Sequence, residues 1–269
     1  MLTSTKMLTS SRNPLIKQLR SLERMRERKQ TGHTVLEGLR TLKHAIANGW
    51  QVLDVLYVPA KLEEVDLELI NQCKKSGARI YEISESLLEK LSRRDGPLGV
   101  LAIINWKEKY TLETLQLSKK PLILVAEAIE KPGNLGVLIR SAAAAGAEAV
   151  ILCNSLTTFH EPSCIHSSLG AVFTLPCVTT TTKECLAWMK DRGITPIVTT
   201  PEGKVAYTKQ DLTKSIAIIM GNEHSGVSAD FMNNGVTVRI DMHGPMDSLN
   251  ASVAGALFLF EAVRQREAN

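Results

Sequence analysis

Two loops near the C-terminal end hold the residue types that could do chemistry. In M-G-N-E-H-S-G-V-S, residues 220–228, Gly221, Glu223 and Gly226 stand together, and Gly244, Ser248 and Asn250 do so in H-G-P-M-D-S-L-N, residues 243–250. Each loop follows a short β-branched run, Ile216 to Ile219 and Val236 to Ile240, so its polar groups collect at the carboxyl ends of strands, where open α/β sheets bind ligands. A carboxylate, a hydroxyl and an amide supply both donors and acceptors, and the glycines allow close backbone approach. A third cluster, E-K-P-G-N-L-G-V-L-I-R at 130–140, places Asn134, Gly136 and Arg140 at a helix start, with Arg140 one to two turns in. A helix N-terminus favours anions, and an arginine adds a planar fork for phosphate. Ordinary glycine turns, a capped last helix and a paired surface arginine are the alternative reading of these three segments.

Sharper motifs are absent. Gly221 to Gly226 has the spacing of a P-loop, but Val227 and Ser228 follow where Lys and Ser or Thr are needed. No G-x-G-x-x-G opens a helix after a strand, and no G-x-S-x-G elbow offers a nucleophile. The segment H-E-P-S-C-I-H, 160–166, has two histidines and a cysteine without the spacing of H-E-x-x-H, so it reads as a loop with a half-buried thiol and no metal is expected.

The elements that must hold these clusters follow from periodicity. Pro121 to Ala126 is a nearly continuous apolar run, as in a buried parallel strand. An alanine-rich helix to Ala145, Gly146 and a strand Ala149 to Leu152 complete a β-α-β unit. Strands are predicted at 175–178, 194–199, 216–220 and 236–240, with helices at 183–192 and from about 250 to 266. The class is α/β with a mostly parallel sheet covered on both faces. Upstream, short alternating elements from 33 to 105 make a smaller α/β unit, and 106–120 turns polar and reads as a linker to a second domain over 121–269.

Residues 1–32 form a basic arm. Asn13-Pro14 caps one amphipathic helix from about 14 to 29 with Leu15, Leu19, Leu22 and Met25 on its apolar stripe. Its polar side carries Lys17, Arg20, Arg24, Arg26, Arg28 and Lys29 against Glu23 and Glu27. That face could neutralise phosphates or be merely solvated; Arg93 and Arg94, on a later polar turn, are candidates for RNA backbone contact or ordinary surface charges. The chain has 269 residues, 44% of them hydrophobic, with aromatics at 4% and a net charge of +4. A core is affordable, a platform of stacked rings is not expected, and an anionic partner is permitted. The five cysteines contain no C-x-x-C pair, which suits reduced thiols. No membrane span is expected. The first 22 residues lack acids, as transit peptides also do, but a basic arm on a cytoplasmic protein is the preferred reading.

N-L-G-V-L-I-R at 134–140, M-G-N-E-H-S-G-V-S at 220–228 and I-D-M-H-G-P-M-D-S-L-N-A-S-V-A at 240–254 resemble, in order, the three motifs of the SpoU (TrmH) family of RNA ribose 2′-O-methyltransferases. Residues 33–105 are similar to the small ribosomal-protein-like substrate-binding domain of many members. The resemblance implies a catalytic domain ending in a trefoil knot, S-adenosylmethionine as cofactor, and a homodimer with the active site close to its interface. It implies Arg140 as the catalytic arginine, Asn134 orienting substrate beside it, and Glu223, Ser248 and Asn250 completing a polar pocket. Main chain at Gly221, Ile240 and Leu249 would hold the cofactor, and Thr199 or Thr200 would line the same pocket. Pro245-Met246-Asp247 departs from the small or polar residues that many members carry there.

These residue types suit the reaction. A ribose hydroxyl is a poor nucleophile, so methyl transfer needs in-line placement and polarisation of the hydroxyl proton. Arginine is too weak an acid to be a free base, so Arg140 is expected to clamp the target phosphate and stabilise a developing alkoxide, with Glu223 as acceptor. The expected substrate is structured RNA, ribosomal rather than transfer RNA. A non-catalytic knotted RNA-binding protein and an antibiotic-resistance methylase of the same family are the alternatives.

Overall fold

The structure, a computed structural model, describes residues 7–93 and 96–268. The chain divides into two compact units, one of residues 1–107 with 160–174, the other of 108–159 with 175–269.

In the first unit, α1 (Pro14–Ser21) starts where the Asn13 side chain accepts the Leu15 N–H at 2.9 Å, with Pro14 in the first turn. α2 (Met25–Thr31) follows after a break, so the single helix expected over 14–29 is two. Arg28 explains the break: its guanidinium turns back onto the Leu22 and Glu23 carbonyls at 2.8 Å each, replacing the helical bonds those groups would have made. The remaining elements are β1 (His33–Glu37), α3 (Leu39–Ala47), β2 (Val52–Tyr57), α4 (Glu64–Lys75), β3 (Arg79–Glu82), α5 (Glu85–Leu91) and β4 (Val100–Asn105). The sheet order is β1-β4-β2-β3, with only β2 and β3 parallel. Ile16, Leu19 and Leu22 are buried with Val35, Leu56, Ile83, Leu88 and Ile103, so the N-terminal segment is part of this core. Residues 160–174 belong here too: Trp50 lies against Trp106 and Phe173 with ring centroids at 4.6 and 5.3 Å.

The second unit holds β5 (Leu122–Glu127), α6 (Pro132–Ala144) and β6 (Ala149–Cys153). After α7 (Pro162–Ser167), which packs in the first unit, come β7 (Cys177–Thr180), α8 (Thr182–Asp191), β8 (Thr195–Thr199), β9 (Val205–Ala206), β10 (Ile216–Met220), α9 (Ala229–Asn234), β11 (Val236–Arg239) and α10 (Ala251–Glu267). The order is β7-β6-β5-β10-β8-β11-β9, every pairing parallel. All six residues of β5 and all five of β10 are buried, as two-sided coverage of a parallel sheet requires. A Cβ at Gly255 would stand 2.4 Å from Leu138 Cδ2; glycine there lets α10 lie directly on α6. β7 runs over 177–180 rather than 175–178, and neither β1, β9 nor α7 was expected from the sequence.

Candidate active site

The carboxyl ends of β8, β10 and β11 open into a cleft of about 750 Å³ within the second unit. Three loops wall it: 199–202 after β8, 220–227 after β10 and 240–250 after β11, while the first turn of α6 adds Lys131 and Asn134 and the start of α10 adds Ala251, Ala254 and Phe258. The cleft gathers Asn134, Thr199, Thr200, Gly221, Glu223, Ile240, Ser248, Leu249 and Asn250. Its floor is apolar, with Met220, Val238 and Phe258 buried.

The polar wall is a short relay. Asn250 caps α10 by accepting the Ser252 N–H at 2.9 Å and hydroxyl at 2.6 Å. Its Nδ2 donates to Asn134 Oδ1 at 3.3 Å, and Asn134 Nδ2 donates to Glu223 Oε1 at 2.6 Å. Two helix starts and a strand-end loop are thereby locked together, although Asn134, Glu223 and Asn250 are far apart in sequence. Glu223 Oε2 is buried with no protein partner; such an oxygen calls for a donor from a ligand, since leaving a buried acceptor unpaired costs about 1–3 kcal/mol. Burial pushes the Glu223 carboxyl up, but hydrogen bonds from Asn134 and main-chain N–H groups and the charge of Lys131 outweigh it, leaving the group below the ordinary carboxylate range. It is ionised at neutral pH and acts as a charged hydrogen-bond acceptor.

The loops are braced from behind. Asn222 and Gly226 exchange N–H···O bonds of 3.0 Å in both directions, and Asn222 Oδ1 accepts the N–H groups of His224 and Ser225. The Thr199 hydroxyl donates to the Ile219 carbonyl at 2.9 Å, and the Thr200 hydroxyl to Glu202 at 2.5 Å. Both threonines line the cleft with hydroxyls already committed. Arg239 donates to the Gly203 and Lys204 carbonyls, fixing the loop that passes over β11.

Arg140 stands apart. It lies on α6 more than two turns after Pro132, on an exposed position outside the cleft lining, and has no ion pair among the described residues. The other expected contacts divide. Lys17, Arg20 and Arg24 are exposed. Arg28 is only 2% exposed, paired with Glu161 as well as with two carbonyls, so it cannot also meet a phosphate. Arg93 is tied to Glu23 and Ser163, and Arg94 lies outside the described residues. The His160–Cys164–His166 segment is no loop: Pro162 begins α7, where Pro is at home. Lys131, Glu202 and Met242 line the cleft unforeseen; Lys131, just before Pro132-Gly133, carried a local signal as a basic residue at a helix start, whereas Met242 carried none.

Comparison with known proteins covers nearly the whole chain. The profile of the SpoU rRNA Methylase family matches residues 121–260, and that of an MRM3-like substrate binding domain matches 13–102. A 23S rRNA (uridine(2479)-2′-O)-methyltransferase of Streptomyces viridochromogenes is 30% identical, over 96% of this chain and 92% of its own. Among solved structures, an RNA 2′-O ribose methyltransferase is 37% identical, with a TM-score of 0.86 over 97% of this chain and 99% of that one. An AdoMet-bound rRNA methyltransferase of Sinorhizobium meliloti is 28% identical, with a TM-score of 0.87 over 96% and 97% of the two chains. The chain belongs to the SpoU rRNA methylase family.

Proposed function

We propose that this protein methylates the 2′-hydroxyl of one ribose in ribosomal RNA, using S-adenosylmethionine. One observation carries the reading: a cleft at the strand ends gathers residues of three separated motifs and keeps a buried, ionised Glu223 oxygen free for a donor. The residues present fit the cofactor. Met220, Val238 and Phe258 offer an apolar floor for a base, and main chain at Gly221, Ile240 and Leu249 is available at the rim. When bound, S-adenosylmethionine supplies an activated methyl group on a sulfonium. Glu223 and Asn134 then orient the ribose hydroxyl, with Ser248 and Asn250 closing the wall, and Lys131 adds positive charge at the α6 N-terminus. Relatives named as 23S rRNA methyltransferases support ribosomal over transfer RNA as substrate.

We read the active form as a homodimer. Val253, Leu257 and Phe260 recur along one exposed face of α10, and Val137 is exposed one turn before Arg140 on α6, which packs against α10. A second copy on this face would cover the apolar stripe and bring its Arg140 to a cleft that its own chain does not let it line. There the guanidinium clamps the target phosphate. The second unit is also read as knotted at its C-terminal end: β10 inserts between β5 and β8 while α10 returns to α6, an arrangement that supports a threaded chain. The exposed Lys17, Arg20 and Arg24 are read as RNA-backbone contacts.

The test is titration of S-adenosylhomocysteine by calorimetry, followed by labelled-methyl transfer to ribosomal RNA. Micromolar binding with transfer supports the reading. Absence of cofactor binding would leave a non-catalytic RNA-binding protein.

A further inference from the structure

Behind the loop 221–228 lies a buried carboxylate that lines no part of the cleft. Glu127, the last residue of β5, is 2% exposed. Its Oε1 accepts the Thr182 hydroxyl at 2.6 Å and the Ser228 hydroxyl at 2.7 Å, and its Oε2 accepts the Ser228 N–H at 2.8 Å. Thr182 in turn accepts the Asn154 side-chain N–H at 2.9 Å. Burying a carboxyl group is costly unless its oxygens are hydrogen-bonded, and here both oxygens are, through three donors.

Ser228 pays for this locally. It is the N-cap of α9, yet its hydroxyl makes no capping bond and points to Glu127 instead. A serine that gives up its capping bond marks a place where another demand overrides local preference. The other end of the same loop is anchored to the same segment: Asn222 Nδ2 donates to the Ala128 carbonyl at 2.9 Å and to Glu130 at 3.1 Å. Ala128 itself takes a left-handed φ of 52°, a conformation alanine adopts only when its surroundings impose it. Residues 127–130 thus hold both ends of the loop that carries Gly221 and Glu223.

We infer that Glu127 is a positioning residue for the reaction: its buried carboxylate fixes the far end of the 221–228 loop in the shape that receives the cofactor. The inference rests on the proposed cofactor site. It is built from a charge-assisted bond to a main-chain N–H, so the neutral isostere should loosen the loop without removing any group that touches ligand.

Four proteins are compared for S-adenosylhomocysteine affinity by calorimetry, for melting temperature, and for the separate KM and kcat of methyl transfer. Glu127→Gln is expected to weaken binding about tenfold and raise the cofactor KM similarly, with kcat at saturation within about threefold of wild type. Ser228→Ala should shift affinity in the same direction by about three- to fivefold, and it keeps the question open to measurement if Glu127→Gln does not fold. Thr182→Val removes the third donor but not the loop contact, so it should lower the melting temperature and leave affinity unchanged. Unchanged affinity in Glu127→Gln or in Ser228→Ala would overturn the inference. So would an equal loss in Thr182→Val, which would make the carboxylate a general structural anchor. Failure of the wild-type protein to bind the probe would instead bring down the proposed function.

Discussion

Gly221→Ala probes the cleft at its tightest point. A Cβ at this position would lie 2.4 Å from the Gly226 carbonyl carbon, 2.5 Å from its oxygen and 2.5 Å from the Val227 nitrogen. All three are main-chain atoms, so no side chain can swing away. Restoring ordinary contact means opening the loop by about 1 Å, the sort of overpacking that costs about 1–3 kcal/mol. The paired 3.0 Å bonds between Asn222 and Gly226 would stretch to ~4 Å and cease to count as hydrogen bonds. Residues 224–226 are exposed, so water can take over these groups and the fold should survive. With ~2 kcal/mol of distortion confined to the loop, S-adenosylhomocysteine should bind about 30-fold more weakly, at 1.4 kcal/mol per tenfold. The melting temperature should fall by only about 4–8 °C, at 2–4 °C per kcal/mol for a protein of this size. Calorimetric titration and a thermal melt on the same sample measure both. Wild-type affinity in Gly221→Ala would remove this loop from the cofactor wall.

Three further outcomes follow from placement. Arg140→Ala should leave cofactor affinity unchanged and lower methyl transfer by at least ~10²-fold; mixing it with an inactive Glu223→Gln chain should restore part of the activity, and no rescue on mixing would contradict an arginine working across a dimer. Replacing Lys17, Arg20 and Arg24 together by Gln should reduce the slope of log RNA affinity against log salt by about two to three units, while an unchanged slope would make them a solvated face. Substitution is the right instrument, because deleting residues 1–30 would remove Ile16, Leu19 and Leu22 from the core. His160 is held down to about 4 by burial and by the charges of Arg28 and Lys29. A base depressed below its unfolded value near 6.5 leaves the unfolded chain binding more protons between those pH values, so stability is full above ~6.5 and is lost as pH falls to ~4. His160→Phe should flatten that part of the stability profile in denaturant melts at pH 4.5 and 7; an unchanged profile would assign the acid sensitivity elsewhere.

What the sequence conveyed depended on how local each feature was. β5 was legible because a parallel strand buried on both faces must be continuously apolar, and Leu122–Ala126 is. Asn250 was legible because an amide before an apolar run caps a helix, as it does for α10. Its second bond, to Asn134, joins residues that nothing in a linear pattern relates. Arg28 shows why counting helical faces misled: once the chain breaks after Ser21 and restarts at Met25, the phase resets and a residue on the supposed outer face turns inward. β1 is five residues long, too short for alternation to stand out, and residues 160–166 were read as a loop although Pro162 sits where proline begins a helix. In the sequence Glu127 is only the first polar residue after the apolar run Pro121 to Ala126. Only the third dimension supplies Thr182 and Ser228 as its partners.

We propose that this cleft delivers a methyl group to a ribose hydroxyl of ribosomal RNA. The most direct test is incubation of the full-length protein with labelled S-adenosylmethionine and unmodified ribosomal RNA, with the labelled nucleotide mapped by its resistance to alkaline cleavage. One alkali-resistant position, absent with Glu223→Gln, is the predicted result; label that enters a base, or no label in ribosomal RNA under conditions where the cofactor binds, would contradict it.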